Sequence, residues 1–207
     1  MPIIKDPALK KDEATEELIK STAERLFFRE GRFNATTQEI ADAAGVNRTL
    51  INYYFRSKDN LLNQIFEEAK IKEIKKSKDV LSSDLPFREK IEKFINFSTE
   101  EGIKYPYMDV YLVSQFNKKK CLPKIPKKYD INDEVLPNFY AEYKEEVKKG
   151  TVDDMEPLQF VLNILSLASF PASMRPLIQE RMNINDEEYE RILEDRKQII
   201  LNMIFKK

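Results

Sequence analysis

Arg48, Thr49, Asn52, Tyr53 and Arg56 stand at i, i+1, i+4, i+5 and i+8, the spacing of one face of an α-helix. That face presents a guanidinium, a hydroxyl, a carboxamide, a phenol and a second guanidinium. Arginine can grip guanine bidentately and asparagine can read adenine, while the remaining groups bond phosphates. Residues 46–58 contain three cations, Arg48, Arg56 and Lys58, and no acid. A short helix of this composition has the shape and charge to lie in the major groove of double-stranded DNA. A polar stripe is also what an ordinary solvated helix face looks like, so the flanking elements have to decide between the two.

Composition excludes several other chemistries. The 207 residues include no His, which removes Ser/His and Cys/His nucleophile pairs, His-ligated zinc and a His pH switch. The single cysteine, Cys121, cannot form an intrachain disulfide, which suits a reducing cytoplasm. Carboxylates are abundant but scattered over polar faces, with no Gly-rich phosphate loop and no spaced metal-ligand cluster. No enzyme, cofactor or metal is therefore expected. The net charge is −1, from 35 basic and 36 acidic residues, so any nucleic-acid contact must be a local patch. With 42% hydrophobic and 34% charged residues the chain can bury a core under a well-solvated surface. Four glycines are too few for the turns of a sandwich or barrel, which points to an all-α fold.

The local signals place the stripe on the second helix of a helix-turn-helix. A first helix is predicted over residues 13–29, with Ile19, Ala23, Leu26 and Phe27 inward and Gly31 as its stop. Thr36 and Glu39 have the spacing of a capping box, which starts a short helix with Ile40, Ala41 and Ala44 inward. Gly45 supplies the sharp turn and Val46 plugs the angle. Asn47 is a good N-cap for the helix that follows, in which Ile51, Tyr54 and Phe55 form the inward stripe. Two helices joined by a short Gly turn, the second of this composition, read as a DNA-binding pair.

Residues 36–61, TTQEIADAAGVNRTLINYYFRSKDNL, resemble the DNA-binding signature of the TetR family of bacterial transcriptional regulators. Ala23, Glu24, Arg25, Leu26, Phe27 and Gly31 resemble that family's first helix, and the likeness covers roughly residues 15–65. Thr49, Leu50 and Asn52 depart from the residues most members carry there, and they lie on or beside the reading face. The resemblance implies that Thr37 and Gln38 bond phosphate and that Arg48, Thr49, Asn52 and Tyr53 face the groove. Asn47 belongs to the same DNA-facing set, Lys58 contacts phosphate at a helix start, and the Tyr54 hydroxyl comes near the DNA backbone. It also implies a helix-turn-helix domain over residues 1–62, followed by a helical effector-binding and dimerisation domain over residues 63–207.

One such motif covers one half-site, so a homodimer on a palindromic operator is expected. Residues 158–170 are apolar nearly all round, and residues 186–205 carry an apolar stripe. By resemblance these two helices pair with their symmetry mates, with Phe160, Ile164, Leu167, Ile192, Ile199 and Met203 at the interface; packing within one chain is the alternative for both. Aromatics crowd residues 90–145, and Phe94, Phe97, Tyr107, Tyr111, Phe116, Phe139 and Tyr143 are candidates either for a pocket holding a small, mostly apolar effector or for plain core. The Lys-rich stretch 118–128 reads as a connection between helices, and Cys121 within it as an ordinary thiol. Residues 1–20 show no apolar signal segment, and the 13 residues 158–170 fall short of the roughly 20 a membrane span needs. The expected protein is a cytoplasmic, ligand-responsive DNA-binding regulator, a repressor by family default. The alternative is a helical ligand-binding or interaction protein that keeps the motif as scaffold.

Overall fold

A computed structural model describes residues 7–119, 126, 127, 130–132 and 134–206, with side chains described for the same residues except 7–11 and 115–119. Among them are ten α-helices and no strand, only an isolated bridge between Val152 and Phe205. No single helix among them is long and apolar enough to cross a membrane.

Helix α1 (Pro7–Glu24) passes directly into a π-helical turn over Arg25–Arg29. Leu26, Phe27 and Phe28 are all buried, although successive residues of an α-helix diverge around its axis. The wider turn, closed by the Glu30 N–H on the Arg25 carbonyl at 3.0 Å, brings all three onto the core. Helices α2 (Thr37–Ala44) and α3 (Arg48–Phe55) follow, joined by Gly45 in the left-handed region at φ 65°. Their inward residues Ile40, Ala41, Ile51 and Phe55 pack on Ile19, Phe27 and the start of α4 (Lys58–Leu81).

The expected domain boundary at residue 62 lies inside α4. The amino-terminal half of that helix, Leu61 to Phe66, belongs to the first core, while Leu81 packs against the second. That second core is built by α5 (Phe87–Lys104), α7 (Val135–Lys149), α8 (Pro157–Ser173) and α10 (Asp186–Ile204). At its centre Tyr143 stacks on Phe160 with centroids 4.3 Å apart. Helix α6 (Met108–Lys119) reaches back to the first core through Met108 and Tyr111. The Tyr107 N–H donates to the Phe28 carbonyl at 3.1 Å, so the start of α6 is tied to the π-turn.

Pro171 has no N–H to give the Leu167 carbonyl one turn earlier. Arg196 of α10 donates its Nε to that carbonyl at 3.2 Å, and the Tyr189 hydroxyl donates to the Pro171 carbonyl at 2.7 Å. The chain then bends by 61° into α9 (Arg175–Met182). The buried Arg175 guanidinium bonds Asp186 at 2.9 Å and Glu190 at 3.2 Å, pinning the bend to the start of α10.

Helices α5 and α8 approach closely where Gly102 faces Ala172. A Cβ on Gly102 would stand 2.5 Å from the Ala172 Cβ, with helix backbone behind both. Gly102→Ala is therefore expected to destabilise the fold by about 1–3 kcal/mol through overpacking. Urea unfolding at fixed protein concentration reads the loss, and an unchanged midpoint would mean the two helices slide apart freely.

Candidate nucleic-acid interface

The helix-turn-helix is set by its caps. The Thr36 hydroxyl accepts from the Glu39 N–H at 3.2 Å, and the Glu39 carboxylate accepts from the Thr36 N–H at 2.8 Å. This backbone bond, with the Thr36 hydroxyl, holds the Glu39 carboxyl below the usual carboxylate range. The cap is thus fully formed above the ordinary Glu range and is lost as pH falls through the lowered value. Asn47 caps α3 by accepting from the Thr49 N–H at 2.8 Å and from the Thr49 hydroxyl at 2.7 Å. Helix α3 ends at Arg56, a non-glycine residue at φ 66°, and Ser57 caps α4. Two tight caps and a sharp exit leave a helix of eight residues with one face outward.

Arg48, Thr49, Asn52 and Tyr53 lie exposed on that face, Tyr53 at 71%. Asn47 and Gln38 are also exposed, whereas Thr37 and Lys58 are half-buried. Arg48 donates its Nε to the Thr37 hydroxyl at 3.1 Å. The first residue of α2 therefore aims the guanidinium, and the terminal nitrogens of Arg48 have no bond to the described residues. Gln38 donates to Asp42 at 2.7 Å, and Lys58 donates to the Phe33 carbonyl at 3.3 Å, which keeps that ammonium beside the start of α4. Arg56 is exposed beyond the last turn of α3, not on its face.

The Tyr54 hydroxyl, expected near a DNA backbone, is bonded instead to the Asp12 carboxylate of α1 at 2.5 Å, and this bond pushes the phenol up to about 12. The Tyr54 ring meets Tyr53 edge-on at 4.9 Å and 81°, so it also backs the exposed phenol. Neither the Asp12 contact nor the Thr37–Arg48 bond was read from the sequence. Asp12 lies 42 residues before Tyr54, and no local pattern joins them.

The aromatic candidates do not gather into one pocket. Phe94 and Phe139 line an apolar cavity of about 100 Å³ between α4, α5, α7 and α8. Phe97 lines a separate cavity of about 50 Å³ farther along α5. Tyr107 packs on Gly31 and meets Phe33 edge-on, and Tyr111 sits in the first core among Phe28, Phe33 and Phe66. Tyr143 is core, its hydroxyl shared by the Asp153 carbonyl and the Met155 N–H at 2.9 Å each. The described aromatics do not share one cavity, because Tyr111 of α6 turns toward the amino-terminal core. The Phe116 side chain, Cys121 and most of the stretch 118–128 lie outside the described residues.

The interface candidates divide in the same way. Ile192, Ile199 and Met203 are exposed along one stripe of α10, Ile199 at 51% and Met203 at 63%. Phe160 and Ile164, expected at the interface, are instead buried inside the chain's own second core, with Leu167 packed against it. Helix α8 instead exposes Leu158, Leu162, Leu165 and Phe170. An all-round apolar helix does not say in sequence which side faces its own core.

Residues 19–65 match the model of the bacterial regulatory proteins of the tetR family. No curated protein matches the chain in sequence. Among solved structures, a TetR transcription regulator from Haloarcula marismortui ATCC 43049 aligns with TM-score 0.60 at 17% identity, covering 94% of this chain and 100% of its own. A TetR family transcription regulator from Marinobacter aquaeolei VT8 aligns with TM-score 0.58 at 16% identity, over 96% of this chain and 100% of that one. The fatty acid degradation regulator FadR from Bacillus halodurans aligns with TM-score 0.57 at 16% identity, over 90% and 94%. At these identities the likeness to solved structures is one of fold.

Proposed function

We propose that residues 19–65, which match the tetR-family model, form a DNA-binding domain, and that the chain, whose fold is like that of solved TetR-family transcription regulators, acts in the cytoplasm as a homodimeric repressor on a palindromic operator. The observation that carries this reading is the acid-free outer face of α3, with Arg48 aimed by Thr37 and its terminal nitrogens open. Residues 1–62 read the DNA, and residues 63–207 dimerise and bind an effector. Two copies of α3 then enter successive major grooves about 34–36 Å apart. The exposed stripes of α8 and α10 join the copies. A small, mostly apolar effector occupies the cavity at Phe94 and Phe139, whose walls include Ser77 and Leu81 of α4. Helix α4 runs from that cavity to the floor of the helix-turn-helix, so an effector that favours one setting of α4 changes the spacing of the two recognition helices. It shifts the equilibrium only by its difference in affinity for the two settings.

Two substitutions test the reading on an operator selected from random duplexes, with binding followed by fluorescence anisotropy. Arg48→Ala is expected to cost about 1–3 kcal/mol and to relax preference at one base pair of each half-site. Lys58→Ala is expected to weaken all sequences alike and to lower the slope of log affinity against log salt by about one per protomer. Equal losses on operator and random DNA for Arg48→Ala would mean that this face reads no base.

A further inference from the structure

The Asp12 carboxylate of α1 accepts from the Tyr54 hydroxyl of α3 at 2.5 Å. The Tyr54 phenol, pushed up to about 12, stays protonated at neutral pH and so remains a donor. Tyr54 is half-buried, packed on the first core and 6.1 Å from the ring of Phe55, while Asp12 is exposed. The core holds one end of the Tyr54 side chain and Asp12 holds the other.

Tyr53 leans on that side chain. It is largely exposed, and among the described residues its hydroxyl has no hydrogen bond. Its aromatic neighbour is the Tyr54 ring, edge-on at 4.9 Å. A phenol on an open helix face is otherwise free to change rotamer. The setting of Tyr53 thus follows that of Tyr54, and the setting of Tyr54 follows the acid that holds its hydroxyl. The chain of contacts runs from α1 to the outward face of α3.

The same geometry puts the Asp12 carboxylate within about 10 Å of the Tyr53 ring, about one Debye length at 0.1 M salt. A negative charge there adds nothing to the pull on phosphates and opposes it. Any favourable part that Asp12 plays on DNA has to come through its hydrogen bond.

We propose that Asp12 is a positioning residue for base reading: it holds Tyr54 so that Tyr53 meets the major groove already oriented, which adds to sequence preference and not to affinity for DNA as such. An aromatic ring on that face can lie against a thymine methyl. A side chain oriented beforehand loses less torsional freedom when it does so. The inference rests on the DNA-binding reading above and adds to it a residue from outside the helix-turn-helix.

Asp12→Asn and Asp12→Ala test it in the full-length protein. Both remove the charge, but the asparagine oxygen still accepts from Tyr54. Anisotropy gives the ratio of affinities for the selected operator and for random duplex. Asp12→Ala is expected to lower that ratio about threefold to tenfold, and Asp12→Asn to keep it within about twofold of the native value. Both should bind random duplex alike, and at least as tightly as the native protein does. Tyr54→Phe, which keeps the ring and removes the donor, is expected to match Asp12→Ala. In a Tyr53→Ala background Asp12→Ala should change the ratio no further. A native ratio after Asp12→Ala, a loss that Asp12→Asn shares in full, or a loss undiminished without Tyr53 overturns the proposal. NMR relaxation of the Tyr53 ring in the DNA-free protein needs no operator. The ring is expected to be ordered in the native and Asp12→Asn proteins and mobile in Asp12→Ala. The same mobility in all three overturns the positioning. The expected difference in a protein that selects no operator would sink the DNA-binding reading and leave the positioning of Tyr53 standing.

Discussion

The double substitution Leu162→Glu and Ile199→Glu is expected to yield a folded monomer whose affinity for the palindromic operator is lower by about a hundredfold to ten-thousandfold. Leu158 and Leu162 lie at i and i+4 on the outer face of α8, and Ile192, Ile199 and Met203 at i, i+7 and i+11 on that of α10. Each set is a single stripe of large apolar side chains facing away from its own core. Closing two such stripes on their copies removes apolar surface from water, and a glutamate placed there would have to enter the interface without a partner. Both positions are exposed in the single chain, so the cost falls on association and leaves folding nearly untouched. The loss on DNA follows from tethering. In a dimer the second half-site is met at high effective concentration, a gain of about 10² to 10⁴ that a monomer forgoes. Sedimentation velocity gives the oligomeric state and anisotropy the operator affinity. A variant that stays dimeric would place the interface elsewhere.

Phe160→Ala is expected to act on the opposite face of the same helix and in the opposite way. It should destabilise the fold by about 3–5 kcal/mol, the range for truncating a buried aromatic. Phe160 stacks on Tyr143 at 4.3 Å, lies 6.0 Å from Phe87 and 6.4 Å from Phe139, and is almost fully buried. Its loss leaves a cavity that three rings on α5 and α7 cannot close without moving. For a chain of this size the melting temperature should drop by roughly 10 °C, while the protein that remains folded at low temperature still sediments as a dimer. A monomer of unchanged stability would show instead that Phe160 belongs to the interface.

These two substitutions mark where sequence reasoning ends. The helix-turn-helix was legible because each of its parts is local. Thr36 and Glu39 close their capping box three residues apart, Gly45 turns at φ 65°, and Asn47 caps the helix it precedes. The outward set Arg48, Thr49, Asn52 and Tyr53 follows from period alone once α3 is placed. Long-range geometry was not legible. The hydroxyl of Tyr54 finds Asp12 from a distant helix, and Arg48 finds Thr37 across the turn. On α8, hydrophobicity on every side hid the division between Phe160 inward and Leu162 outward. In the aromatic-rich middle, the fold sends Tyr107 to Phe33 and Tyr111 into the amino-terminal core, and Tyr143 into the second core, leaving Phe94, Phe97 and Phe139 on cavities. The π-turn at Arg25–Arg29 shows the same limit. Three successive apolar residues conflict with a one-sided α-helix, and only the structure shows that the backbone widens to reconcile them.

Two exposed α3 helices, carried by one dimer, are proposed to read DNA bases. Selection of binding sites from a pool of random duplexes by the purified full-length protein tests it most directly. Enrichment of an inverted repeat whose half-site centres lie about one helical turn apart, or a whole multiple of it, is expected, with loss of preference at one position of each half-site in Arg48→Ala. A pool that stays random after repeated rounds, or that converges on a single unrepeated site, would contradict it.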